Sequence, residues 1–432
     1  MHLLPTLINE WAAAVGAQAK GCVGCPTAPS AGRSLDWLNL FVGNIQTGFG
    51  PFIAVYLTTR GWTETSIGLA LSLGTVAAMA SQIPAGALVD AIRAKAWVVL
   101  LSILAFSVSA LLFAVQPAPL AVYVAEILHS FSSCTLGPAI AAISLAVAGP
   151  AVLGLRFGRN ARFAAIGNGI GALLMGACGY YISERAVFFL TAALTLPALV
   201  PLLPLTRLDY SRRSSGGDDL PGPGRGSPGR VLTDRRLLIF AACVLLFTLG
   251  NAAMLPLIGN TLTKSVGSEA SLVIAACIVV PQLIVALVSP GIGRLAEANG
   301  RRIVLLLGLL TLPIRGAVFA VAASPVPVVL VQALDGIAGA SVGVLVPLVT
   351  SDIAGRSGHY NLALGSVGFG IGVGATLSTT LAGWIGDRYG QPAAFASLAA
   401  FGLAACAVVL AAMPETKPPS RPRPEHPRHS IE

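Results

Sequence analysis

The sequence predicts an all-α membrane protein of about twelve transmembrane helices, built as two six-helix pseudo-repeats. Three observations carry that expectation. Only 10% of the 432 residues are charged, where a soluble domain carries about 25%, and the mean hydropathy is +0.80. The apolar residues fall in long runs, each near the ~20 residues that a bilayer crossing needs. The second half of the chain repeats the first.

Residues 1–35 read as an N-terminal tail. Apolar runs follow at 36–58, 65–90, 96–116, 119–148, 162–182 and 186–206, and compose a first bundle over 36–206. The stretch 207–236 contains SRRSSGGDDLPGPGRGSPGR, whose Gly, Pro, Ser and charge mark a linker. Six further runs, at 237–260, 268–296, 303–322, 325–350, 360–386 and 391–413, compose a second bundle over 237–413. Residues 414–432 form a Pro- and Arg-rich tail. The 48 glycines and 29 prolines are compatible with this reading, because spanning helices accept both more readily than soluble ones.

The net charge of +9 does not indicate nucleic acid, because the basic residues are scattered over short loops rather than gathered on one domain. Their distribution is a topology signal. With both termini and the linker in the cytoplasm, most of the 27 basic residues fall on the cytoplasmic side. Arg60, Arg185, Lys264 and Arg388 fall outside, and Arg315 lies within a run. The expected location is therefore the cell inner membrane, multi-pass. Of the seven cysteines, Cys22 and Cys25 form an isolated CxxC in the tail, a weak metal or redox signal. The other five read as small buried hydrophobes. Residues 3–15 are too short an apolar stretch, interrupted by Glu10 and lacking a basic start, for a cleavable signal peptide.

The repeat is legible residue by residue. Gly86–Asp90 matches Gly293–Glu297, and Gly43-Asn44 matches Gly250-Asn251. In the fourth and tenth runs Pro119, His129 and Gly137 match Pro325, Asp335 and Gly343. Ile166-Gly167-x-Gly169-Ile170-Gly171 in the fifth run matches Val367-Gly368-x-Gly370-Ile371-Gly372 in the eleventh. Parallel repeats with a site at their interface are a transporter architecture.

The segment from Gly86 through Asp90 to Arg93 and Lys95 resembles the loop signature of the major facilitator superfamily. A second copy runs from Gly293 through Glu297 to Arg301 and Arg302. Pro414-Glu415-Thr416-Lys417, after the twelfth run, resembles the ending common in that superfamily. The resemblance covers nearly the whole chain. It implies a secondary transporter, monomeric, with spans 1, 4, 7 and 10 around a central cavity. It also implies that the signature loops form a latch holding the halves together in the outward-open state. Asp90 would act there by pairing with a loop arginine or by capping a neighbouring helix; the alternative is a loop that serves topology alone. The chain departs from proton-coupled members in two places. Span 4 carries Glu126-Ile-Leu-His129 where those members carry an arginine element, and span 5 keeps its glycines without the Gly-Pro pair.

Ionisable residues in lipid are costly and usually functional. His129 and Asp335 each lie about 15 Å into a ~30 Å core, judged from the prolines that open their runs. Glu126 precedes His129 by one helical turn, so the two share a face. Given the implied fold, Glu126, His129 and Asp335 are expected to face one another across the cavity as a proton and substrate site, joined by Gln332, Asn44, Gln46 and Asn251. The alternatives are inter-helix hydrogen bonds or a static His–Asp clamp. Arg315 needs a partner within the membrane, and Asp335 is the candidate by depth, which gives Asp335 a second, structural reading. Asp36 is expected to be interfacial. The glycines of spans 5 and 11 are expected to permit close packing or rocking.

The functional expectation is proton-coupled export of a small organic solute. Uptake of a siderophore or another metabolite is the second reading. A membrane-embedded enzyme is the third, and the sequence carries no HExxH, no P-loop and no Ser/His/Asp constellation in support of it. No metal or cofactor is expected; the expected partners are the solute, protons and lipid. The topology makes a first prediction. Ser215→Cys, in a cysteine-replaced chain, is labelled by an impermeant maleimide only after the membrane is permeabilised. Labelling in intact cells refutes the twelve-span model with a cytoplasmic linker.

Overall fold

The computed structural model describes residues 29–47, 49, 51–115, 118–149, 152–206, 227–258, 270–321, 325–355 and 357–418. Cys22, Cys25, the linker core, Lys264, Arg356 and the tail beyond 418 lie outside the described residues. Among the described residues all regular structure is helical, and 11 helical segments are long and apolar enough to cross a bilayer.

Span 1 comprises Pro29–Thr47 and Pro51–Thr59, and spans 2, 3 and 4 are Glu64–Ala91, Lys95–Val115 and Pro119–Ala148. Span 5 is Leu153–Tyr181 and span 6 is Glu184–Leu199. Span 7 runs Arg235–Ile258. Spans 8 to 12 are Ala270–Asn299, Arg301–Val321, Pro325–Ala354, Tyr360–Tyr389 and Gln391–Ala412.

The expected run 186–206 is not one helix. Span 6 ends after 16 residues, a turn follows, and Leu203–Thr206 forms a separate short helix. Pro201 and Pro204 lack the amide hydrogens that would continue the ladder. Span 5 begins nine residues earlier than the expected 162, so Arg156 and Arg159 belong to a helix rather than a loop. Helices of 30 residues, such as spans 4 and 8, are about 45 Å long and overshoot a ~30 Å hydrocarbon core. That overshoot carries the signature residues Gly86, Asp90, Gly293 and Glu297, which therefore sit on helices and not in loops.

Two hydrophobic cores result. One gathers Leu38, Phe106, Phe113 and Phe188 from the first half; the other gathers Phe240, Leu312, Leu348 and Phe395 from the second. Helix pairing obeys the repeat: span 1 packs on 5 as 7 packs on 11, span 2 on 4 as 8 on 10, and span 3 on 6 as 9 on 12. Between the halves, span 2 packs on 11 and span 5 on 8. Leu101, Leu173, Leu287 and Leu330 stand exposed on the outside, as lipid-facing side chains do. Exposed Trp37 and Trp97 mark the end of the bundle that carries the signatures, and Tyr180, Tyr181, Trp384 and Tyr389 mark the other, the positions of interfacial aromatic belts.

Candidate functional site

Both crossings between the halves are closed at the signature end. At the first, a Cβ on Gly86 would strike the Asn361 carbonyl and one on Gly365 would strike that of Gln82, so the backbones of spans 2 and 11 touch. One turn beyond Gly86, Asp90 accepts hydrogen bonds from the N–H of Asn361 (3.1 Å) and Leu362 (2.8 Å), and from Asn361 Nδ2 (2.6 Å). These amides open span 11, where the helix leaves donors unpaired and its dipole favours an anion.

The second crossing repeats this chemistry with the halves exchanged. A Cβ on Gly154 or Gly293 would strike the other's carbonyl, so spans 5 and 8 touch as closely. One turn beyond Gly293, Glu297 accepts from the Gly154 N–H at 2.6 Å, at the start of span 5. Arg162 adds a third link. Its Nε donates to the Ala286 carbonyl at 2.7 Å and its terminal nitrogen to Leu287 at 3.4 Å. Pro290 lacks an amide hydrogen, so the Ala286 carbonyl has no intrahelical donor and an arginine from the other half supplies one.

The basic ends of the signatures brace their own halves. Lys95 Nζ donates to the carbonyls of Val89 and Asp90, ending span 2, while Arg93 is exposed. Arg301 reaches Asp352 at 3.0 Å and the Ala296 carbonyl at 2.8 Å. Glu415 accepts from the N–H groups of Arg301 (2.8 Å) and Arg302 (3.1 Å), capping span 9. Burial raises the Glu415 carboxyl, but the amides of Arg301, Lys417 and Arg302 outweigh it and hold the group below the usual range.

Between the halves, spans 1, 5 and 8 line a half-open cavity of about 340 Å³ with the polar side chains Gln46, Thr47, Asn168 and Gln282 and an apolar wall that includes Ile278 and Val279. Thus the molecule has two helical bundles, a polar cavity where they meet and matched crossings at one end.

Residues 37–258 and 240–431 match the sequence profile of the Major Facilitator Superfamily. The chain belongs to the major facilitator superfamily. Two Mycobacterium tuberculosis proteins, from strains CDC 1551 / Oshkosh and ATCC 25618 / H37Rv, are each described as an uncharacterized MFS-type transporter. Each is 35% identical over 394 residues, covering 90% of this chain and 94% of the relative. The human organic anion transporter MFSD10 (TETRAN) superposes with a TM-score of 0.67 at 15% identity, over 88% of this chain and 100% of its own. The proton:xylose symporter XylE gives 0.67 at 13%, over 90% and 96%. The superfamily assignment makes this chain a multi-pass membrane transporter.

Within this superfamily member the expected ionisable cluster is not assembled around the cavity. Glu126 is drawn into the gap that Gly74 leaves on span 2, beside Ser130, which donates to the Gly74 carbonyl at 2.8 Å. Its Oε1 has no hydrogen-bond partner. His129 stacks on Phe49 with ring centroids 4.1 Å apart and meets Phe106 edge-on at 5.2 Å. Asp335 pairs with Arg315, which also contacts Met254 Sδ at 3.2 Å. A small-residue gap, an aromatic box and an arginine thus take three side chains in three directions. Gln332 is buried and donates to the Cys277 carbonyl at 3.0 Å, the carbonyl that Pro281 leaves without a donor. Asn44 and Asn251, at matching repeat positions, each keep a buried amide oxygen without a hydrogen-bond partner.

Sequence reasoning missed Asn168, Thr47 and Gln282, which are plain polar residues on glycine-rich or apolar runs. It also missed the partners of Asp36, which is buried and pairs with both Arg156 and Arg159. Had span 5 been extended to Leu153, these arginines would have called for a partner.

Two predictions follow from these contacts. Removing one member of a buried pair costs about 3–5 kcal/mol; Arg315 is buried and Asp335 only partly so, so the larger penalty falls where Arg315 is left charged without its partner. Arg315→Met or Asp335→Leu alone therefore loses most folded protein by size-exclusion chromatography, and the double replacement restores it. Separately, Arg162→Gln weakens the closed crossing, read as the distance between spin labels across spans 5 and 8. Pro290→Ala gives the Ala286 carbonyl an intrahelical donor and reduces the effect of Arg162→Gln, a coupling of about 0.5–3 kcal/mol in a double-mutant cycle.

Proposed function

We propose that this transporter is a proton-coupled secondary exporter of a small organic solute. It works by alternating access in the inner membrane, with both termini and the linker cytoplasmic. The observation behind alternating access is the pair of matched crossings, each a glycine contact sealed by a carboxylate on the first turn of a helix from the opposite half. On this reading the signature end is the cytoplasmic one and this conformer is closed to the cytoplasm. Opening it separates Asp90 from span 11 and Glu297 from span 5 together, because the two halves move as units around the cavity.

Proton coupling is assigned to Glu126. Intramembrane carboxylates mark proton relays. Glu126 is buried two turns into span 4 and its Oε1 is unpartnered, so a proton has an atom to occupy. His129 is held between Phe49 and Phe106 and is given no part in this coupling.

A charge at a helix N-terminus contributes up to ~2 kcal/mol. Asp90→Asn and Glu297→Gln therefore each shift the conformational equilibrium toward the cytoplasm-open form by about 5–30-fold. The shift is measured as cysteine accessibility from that side. Unchanged accessibility in both variants rejects the latch. Glu126→Gln abolishes accumulation driven by an imposed pH gradient in inside-out vesicles but leaves solute counterflow intact. Accumulation that survives the substitution removes Glu126 as the proton carrier.

A further inference from the structure

Among the described residues lining the inter-half cavity none is ionisable, while Glu126, His129 and Asp335 are engaged inside their own bundles. Three of its side chains, Gln46, Asn168 and Gln282, are carboxamides, and each offers both a donor and an acceptor. Their internal bonds are slack. Gln46 Nε2 reaches Ser133 Oγ only at 3.5 Å, and Thr47 Oγ1 meets Asn168 Oδ1 at 3.4 Å while donating well to the Gly43 carbonyl at 2.9 Å. Hydrogen-bonding capacity is therefore left pointing at whatever fills the space.

We propose that this cavity binds an uncharged solute rich in hydroxyl or amide groups, of one or two rings, with an apolar edge. The inference rests on the transporter reading and specifies its cargo. A carboxylate can only accept hydrogen bonds and an ammonium can only donate. Either would leave half of each carboxamide unmatched and would bury a charge with no countercharge in the lining, which costs several kcal/mol. A hydroxyl or amide answers both ends of a carboxamide without that cost. Ile278 and Val279 supply the surface for an apolar edge. A volume of about 340 Å³ sits near the low end of the ~300–1,000 Å³ typical of small-molecule sites. Gln282 comes from the second half and the other polar side chains from the first, so the full hydrogen-bonding set exists only while the halves hold this relation.

Gly169 provides the reporter, since it lines the cavity and a Cβ there meets nothing within 4 Å. Gly169→Cys, in a cysteine-replaced chain reconstituted in liposomes, is labelled with a small maleimide in the presence of neutral and charged probe pairs. The pairs are N-acetylglucosamine with glucosamine, uridine with uridine monophosphate, and salicylamide with salicylate. At least one neutral member is expected to slow labelling, with its charged partner at least about tenfold weaker. Asn168→Ala or Gln282→Ala should weaken that protection by about tenfold, the loss of one polar contact. The proposal is overturned if a charged member protects as well as its neutral partner, or if no neutral probe protects. Asp90→Asn, added to the reporter without any probe, tests the underlying reading separately. If the side from which Gly169→Cys labels does not change, alternating access fails whatever the cargo.

Discussion

The arrangement of the whole molecule depends on a carboxylate one turn beyond a glycine. Gly86 and Gly293 allow two helices to touch at the backbone, and only then can Asp90 and Glu297 reach amides that start a helix in the opposite half. Neither element works alone. Without the glycine the helices stand too far apart for the carboxylate to reach. Without the carboxylate the touching helix ends would leave amide donors unpaired in a packed crossing. The proposed alternating access requires this contact to be reversible, and a polar, peripheral contact meets that requirement. On separation water can replace the carboxylate at the amides and the amides at the carboxylate, so the free-energy difference stays at the scale of a helix-dipole contact rather than a buried ion pair.

The remaining ion pairs join helices within each half, which fits the proposed rocking of the halves as units. Asp36 with Arg156 and Arg159, Arg301 with Asp352, and Arg315 with Asp335 each join helices of one half. Glu415 folds the chain after span 12 back onto the start of span 9 and so fixes the helix pair that carries Glu297. Arg162 is the exception, an arginine of the first half serving a carbonyl of the second. It uses a defect intrinsic to span 8, the donor missing at Pro290, and so makes that crossing specific to this face of the helix.

The sequence made the class, the twofold repeat and the residues of the two crossings legible, because each is written in a strong physical signal: apolar run length, charge asymmetry, and small residues at fixed spacing from a carboxylate. Asp90 was readable, from its place at the end of span 2, as either a partner of a loop arginine or a helix cap, and it contacts the start of span 11. The cavity was not. Lining depends on helix rotation, which hydrophobic periodicity fixes poorly in a helix that is apolar all round. Glu126 and His129 lie one helical turn apart, but Glu126 turns toward Gly74 of span 2 and His129 toward Phe49 and Phe106 inside the bundle. Asn168 and Gln282 carry no signal stronger than polarity. The start of span 5 was misjudged because its first turns are rich in arginine, which reads as loop until Asp36 is known to lie nearby in space.

The distribution of charge across the protein separates stability from transport. An arginine or aspartate lining the path would hold a polar solute tightly in one conformer and would have to be desolvated again in the other. Here the charges lie in the bundle interiors and at the closing end, and the inter-half surface that must part and re-form around a solute is made of glycine contacts, carboxamides and aliphatic side chains. Such a surface presents similar hydration costs whichever side it faces. The two helix-capping carboxylates can then bias the conformers by an amount comparable to the binding energy of a small neutral solute, which is the condition under which binding shifts the population instead of being overridden by it.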